Sequence, residues 1–187
     1  KERDFIWRGV EMNPDWGNAA EPYYHEFFHG KIEEAPEKII RQADFIIFAD
    51  ILEHLPDPET ILRKIVRNQT SGVLFAISVP NIAHLYMRWQ LLLGKFEYTE
   101  VGIMDRTHLR FFTRKTFEQM LATCGLIIIE KQTTPIPLDL VNPFFSNFNI
   151  GRLIHKMYAT LSMKWPTMLG YQFVYLCRLP VDEGEKP

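Results

Sequence analysis

The sixteen residues from Ala43 to Pro58, Ala-Asp-Phe-Ile-Ile-Phe-Ala-Asp-Ile-Leu-Glu-His-Leu-Pro-Asp-Pro, restrict the possible folds more than any other part of the chain. Five of the six residues from Phe45 to Asp50 are apolar, a run that suits a strand buried on both faces of a parallel sheet. Asp50, Glu53 and His54 follow at the carboxyl end of that strand, where open α/β sheets bind their ligands. Asp57-Pro58-Glu59 then supplies an N-cap, a proline for the first helical position and a first-turn acid.

The rest of the chain extends this pattern. Strands are expected over Phe5 to Glu11, His25 to His29, Val73 to Val79, Leu126 to Lys131 and Tyr171 to Arg178. Asn13-Pro14 reads as a breaker after the first of these. Helices are expected over Pro58 to Arg67, Ile82 to Leu93, Arg114 to Cys124 and Arg152 to Met163, with Thr113 as a cap and Gly94 and Gly125 as stops. Alternating strands and helices predict an α/β fold with a doubly wound, mostly parallel sheet. At 187 residues without repeats, a single domain over 1–187 is expected, with 135–168 as an insertion between the last two strands and 182–187 as a disordered tail.

Charge and composition narrow the functional classes. A net charge of -2 gives no basic surface for nucleic acid, so no nucleic-acid partner is expected. No apolar run reaches the roughly 18–20 residues that span a bilayer. Cys124 and Cys177 lack metal-ligand spacing and read as reduced core thiols, and no metal site is expected. The chain opens Lys1-Glu2-Arg3 without a signal-like segment, and a cytoplasmic location is the expectation.

Taken together, Gly9-Val-Glu-Met-Asn-Pro14, Asp50-Ile-Leu-Glu-His-Leu55, Ser78-Val-Pro-Asn-Ile82 and Gly102-Ile-Met-Asp-Arg-Thr-His-Leu-Arg-Phe-Phe-Thr113 resemble the motifs of class I S-adenosylmethionine-dependent methyltransferases of the type 11/23 branch. The likeness covers roughly 5–131, with Tyr171 to Arg178 matching the antiparallel last strand of that Rossmann-like fold. It implies S-adenosylmethionine as cofactor, with Glu11 on the ribose hydroxyls, Ile32 against the adenine face and Asp50 beside the methionine portion. A carboxylate accepts from two hydroxyls at once, which suits Glu11. Lys31 stands where the family usually carries an acid; as a donor only, it cannot accept from the adenine amine.

For the acceptor side, the resemblance points to His54, His108 and Arg110: two titratable bases and an anion-binding fork. Plainer readings stand beside it. His54 could serve only to orient its loop, and the 105–112 segment could be tied down by an Asp105–Arg110 ion pair with Phe111 and Phe112 as anchors.

The family's first strand and its Gly-x-Gly-x-Gly turn are expected before residue 1, and that strand would be the central one. Three alternatives follow: a fragment, a degenerate member whose sheet closes differently, or direct pairing of the Phe5–Glu11 and Phe45–Ala49 strands. Two functions correspond: methyl transfer to a small-molecule acceptor, lipid-linked and saccharide acceptors included, or a non-catalytic binding module that has lost the cofactor. A nicotinamide-binding domain is the weaker third reading, since Gly-x-Gly-x-x-Gly is lacking. In the last third, Ile150, Leu153, Ile154, Met157, Tyr158 and Leu161 share a helical face, expected to pack on the domain's own core. A membrane surface or a second copy of the chain are the other partners for that face.

Overall fold

The computed structural model describes residues 5–138 and 142–181. Its strands are β1 (Arg8–Glu11), β2 (Glu26–His29), β3 (Phe45–Ala49), β4 (Leu74–Pro80), β5 (Ile127–Thr134) and β6 (Gln172–Arg178). They form two sheets. β1 and β2 pair in parallel, Arg8 opposite Glu26 through Glu11 opposite His29. The other sheet runs β3-β4-β6-β5, with β3 and β4 parallel and β6 antiparallel to both its neighbours. The expected α/β, mostly parallel, Rossmann-like layout with an antiparallel last strand is therefore the one observed.

The direct-pairing alternative is not. β1 bonds only β2 and β3 bonds only β4, so each keeps a free edge among the described residues. This also corrects the expectation that β3 is buried on both faces: Phe45 and Ile47 are exposed while Phe48 is buried. A strand with one neighbour and no cover over one face buries only alternate residues.

Capping residues set most helix starts. Asn13, read as a breaker, instead caps α1 (Pro14–Ala20) by accepting from the Asp15 and Trp16 amides. α2 (Glu37–Ile40) follows a short 3-10 turn begun by Ile32. The sequence did not show α1 or α2, both being too short for apolar periodicity. Asp57 caps α3 (Pro58–Arg67) through the Thr60 amide. After α4 (Leu85–Leu92), Thr113 and Thr116 cap α5 (Arg114–Thr123) reciprocally. Gly125, at φ +84°, ends α5 in the left-handed conformation that releases the chain into β5.

Between β5 and β6 lie three helices: α6 (Phe144–Asn147), α7 (Asn149–Lys164) and α8 (Pro166–Leu169). The expectation of core packing for α7 fails here. Ile150, Leu153, Ile154, Met157 and Leu161 are exposed, Tyr158 alone of that face is half-buried, and the buried residues of α7 are the small Gly151 and Ser162. Gly151 is buried because α6 crosses it closely: an added Cβ would come 2.2 Å from the Phe144 carbonyl oxygen. The call for a disordered tail at 182–187 lies outside the described residues.

One core joins both sheets. Phe48, Leu52, Leu62, Phe75, Phe117 and Phe173 are central to it, and Val10 and Phe28 of the small sheet pack against it. Cys124 and Cys177 are buried free thiols, as expected. No helix is long and apolar enough to cross a membrane among the described residues.

Candidate functional site

The carboxyl ends of β3 and β4 and the start of β6 meet at Asp50. This residue has φ +52°, an uncommon conformation for a side chain with a Cβ. Three bonds hold it. Its amide donates to Ser78 Oγ at 3.0 Å, Ser78 Oγ donates back to Oδ1 at 3.0 Å, and Gln172 Nε2 donates to Oδ2 at 2.8 Å. β3, β4 and β6 are thereby pinned to one carboxylate.

Asp50 leads into a 3-10 turn, Leu52–His54, that turns Glu53 inward. Glu53 is 1% exposed, and neither carboxyl oxygen has a hydrogen-bond partner among the described residues. Burial pushes its pKa up to about 8, with the nearby charges of Asp50 and Asp105 adding to the rise. The Glu53 backbone carbonyl accepts from Leu109 and Arg110 amides at 2.8 and 3.0 Å, so the 105–110 loop docks on this turn.

Two histidines flank Glu53. His54 Nδ1 lies 3.2 Å from the Thr107 carbonyl and 3.1 Å from Thr107 Oγ1. Thr107 Oγ1 donates to Asp105 Oδ1 at 2.6 Å, leaving its lone pairs for His54. A carbonyl only accepts, so Nδ1 of His54 carries the proton and Nε2 a lone pair. The same holds for His108, whose Nδ1 donates to the Ile103 carbonyl at 3.0 Å. The two rings meet edge to face, centroids 4.8 Å apart. Burial lowers the pKa of His108, whereas hydrogen bonds from the Thr107 hydroxyl and amide lower that of Asp105. One ligand-type atom from each of Glu53, His54 and His108 lies within 4.8 Å of the others.

Arg110 is placed differently from the sequence expectation. Its guanidinium donates to the Pro56 carbonyl, from Nε at 2.9 Å and from Nη2, rather than pairing with Asp105. Asp105 is instead occupied by the Thr107 amide and hydroxyl. Phe112 is buried and Phe111 packs on a small cluster of Met87, Ile103 and Met104, so the aromatic anchors are as anticipated. The ion pair is not formed: the Pro56 carbonyl takes the Arg110 guanidinium, and the Thr107 amide and hydroxyl take Asp105.

Glu11 ends β1, with Oε1 accepting from the Asn13 amide at 2.7 Å. Ile32 is half-buried against the main core. Lys31 is exposed. Residues to which the sequence assigned no role complete the framework. Asn81, fully buried, donates through Nδ2 to the Gly170 carbonyl at 2.8 Å and to the Pro166 and Thr167 carbonyls at 3.3 Å. His84 accepts from the Tyr86 amide and meets Tyr158 Oη at 3.2 Å, tying α7 to the start of α4. Gln172 had no local signal, since it acts through strand pairing. Asn81 had one: its position directly after the strand-ending Pro80.

The residues fit an S-adenosyl group in part. Glu11 offers a carboxylate at a strand end, of the type that takes hydroxyls. Both Asp50 oxygens are already engaged, so Asp50 would serve through its strained backbone turn rather than through its side chain. The described hollows of about 450 and 440 Å³ lie elsewhere, one beside Arg8 and α2, the other between α6 and α7.

Comparison with known proteins agrees with this layout. The family model described as a methyltransferase domain matches residues 8–131. Among solved structures, a SAM-dependent methyltransferase from Archaeoglobus fulgidus is 15% identical, with 91% of this chain and 74% of that one covered at TM-score 0.57. A S-adenosylmethionine-dependent methyltransferase from Clostridium acetobutylicum is 14% identical, with 91% and 74% covered at TM-score 0.53. Magnesium protoporphyrin IX methyltransferase from Synechocystis, solved with bound SAH, is 9% identical, with 92% and 63% covered at TM-score 0.56. No curated protein matches the chain.

Proposed function

The chain belongs to the methyltransferase-domain family, and from that premise we propose that it transfers a methyl group from S-adenosylmethionine to a small-molecule acceptor. S-adenosylmethionine is the cofactor of this family and fold; bound, it supplies an electrophilic methyl group on a sulfonium. Glu11 would hold its ribose, Ile32 would line the adenine, and the backbone at Asp50 would face its methionine portion.

The observation that carries the reading is Asp50. A left-handed residue fixed by three hydrogen bonds at the carboxyl end of β3 is strain kept at a binding edge. Next to it, His54 and His108 each present an Nε2 lone pair, which suits removal of a proton from an acceptor hydroxyl or amine. Arg110 would gate, since its grip on Pro56 clamps the 105–110 loop over the Glu53 turn. Orientation of the acceptor would supply most of the acceleration.

Isothermal calorimetry with S-adenosylhomocysteine tests the first step. The expected result is saturable binding that weakens roughly tenfold in Glu11→Ala, about 1.4 kcal/mol. A folded chain that shows no binding would favour the second reading, a non-catalytic module.

A further inference from the structure

We infer that Glu53, His54 and His108 form a binding site for one divalent metal ion of the zinc, iron or manganese class. Three independent features converge. The first is proximity, with one ligand-type atom from each residue inside a 4.8 Å span. Ligands about 2.1 Å from one ion stand roughly 3–4 Å apart, so a small rotamer adjustment closes the set.

The second is Glu53. Its carboxyl is 1% exposed with both oxygens unpartnered, although a buried polar group without a partner costs on the order of 1–3 kcal/mol. A cation between the residues gives that carboxylate its missing partner. Its own backbone amide is the hydrogen-bond donor that bears on it, and that amide does not complete a bond to either oxygen.

The third is the orientation of the imidazoles. Each histidine donates Nδ1–H to a backbone carbonyl, Thr107 for His54 and Ile103 for His108, which fixes the tautomer that leaves Nε2 as a lone pair. Metal-binding histidines are held this way by outer-shell acceptors. Asp105 acts at one remove, through Thr107.

Two imidazoles and one carboxylate favour borderline ions over magnesium or calcium, which prefer all-oxygen sets. Three protein ligands leave at least one position open, the arrangement of catalytic rather than structural sites. Binding itself does not depend on methyl transfer. Its use there would be to lower the pKa of an acceptor hydroxyl whose proton passes to water. This rests on the methyl-transfer reading above and replaces the two imidazoles as the base, since the ion takes their Nε2 lone pairs.

The test uses the full chain stripped of metal by a chelator. Zinc titration should show one site per chain, and cobalt should give d–d absorption bands. Long-range 1H–15N spectra should show zinc shifting the Nε2 signals of His54 and His108 but of no other histidine. Glu53→Gln, close in shape to a protonated glutamate, should weaken zinc binding at least roughly a hundredfold, and Thr107→Val roughly tenfold. Should Glu53→Gln fail to fold, the wild-type spectra and the half-exposed His54→Gln variant decide the matter. Absent cobalt bands, or zinc binding that leaves both Nε2 signals in place or is equal in the variants, overturns the site. Loss of S-adenosylhomocysteine binding alone would count against the methyl-transfer reading and leave this one standing.

Discussion

Asp50 and Ser78, 28 residues apart in sequence, are joined twice: the aspartate amide donates to the serine hydroxyl and that hydroxyl donates to the carboxylate, both at 3.0 Å. The pair locks a left-handed residue onto the end of a strand. The energetic consequences separate cleanly by substitution.

Asp50→Gly removes the carboxylate but keeps the backbone comfortable at φ +52°, whereas Asp50→Ala removes the carboxylate and leaves a Cβ in the left-handed region. The alanine variant should therefore be less stable than the glycine variant by about 1 kcal/mol. Ser78→Ala should cost about 1–2 kcal/mol by removing a partner of a charged group. Urea denaturation of the three variants measures this; equal stability of the Ala and Gly forms would mean Asp50 is not strained.

Glu118 controls the response to acid. Burial favours its neutral form, but Lys131 Nζ, Arg114 Nε and Tyr175 Oη all reach Oε1, at 2.8, 2.9 and 2.9 Å, and together hold its pKa at about 2. The folded-state value lies below the ordinary 4.5, so the stabilisation is fully present above that value. It fades as pH falls from about 4.5 through about 2. Glu118→Gln should flatten this window by on the order of 2 kcal/mol, read from denaturation midpoints between those pH values.

Asn81 holds the α7–α8 segment to the end of β4 with three carbonyl contacts from a fully buried amide. Asn81→Ala should destabilise the chain by about 2–4 kcal/mol. Hydrogen exchange should quicken first over 166–170. Uniform quickening across the chain instead would show that the segment has no independent hold.

Thr107 Oγ1 bridges His54 Nδ1 and Asp105 Oδ1. Thr107→Val should lower kcat roughly tenfold, about 1.4 kcal/mol, with S-adenosylhomocysteine binding unchanged. Thr107→Ser should restore the rate, because only the hydroxyl is needed to join His54 to Asp105.

The apolar face of α7 adds little to the fold. Leu153→Gln and Met157→Gln should each change stability by no more than about 0.5 kcal/mol, since both side chains are more than half exposed. Thermal unfolding checks this. A loss of several kcal/mol would mean that the face is covered.

The sequence carried the local signals well. The Asp57-Pro58 cap and the apolar face behind it gave α3 its full range, and Thr113 and Gly125 bracketed α5. Apolar content likewise marked β4 and β6 to within a residue or two, because both are central and buried along alternate positions. What was missed depends on contacts remote in sequence. α7 has the periodicity of a core helix, yet periodicity says only that one face is apolar, not what lies against it. Arg110 and Asp105 are complementary charges five residues apart, but the Pro56 carbonyl and the Thr107 hydroxyl lie closer in space. Glu53 was visible within a motif, while its isolation from any donor emerges only once the 105–110 loop is laid over it.

Among the described residues, β1 and β3 each end the pairing of their sheet with a row of unmatched amides and carbonyls, although both sheets grow from one core. Such rows are templates for any extended peptide of the right length.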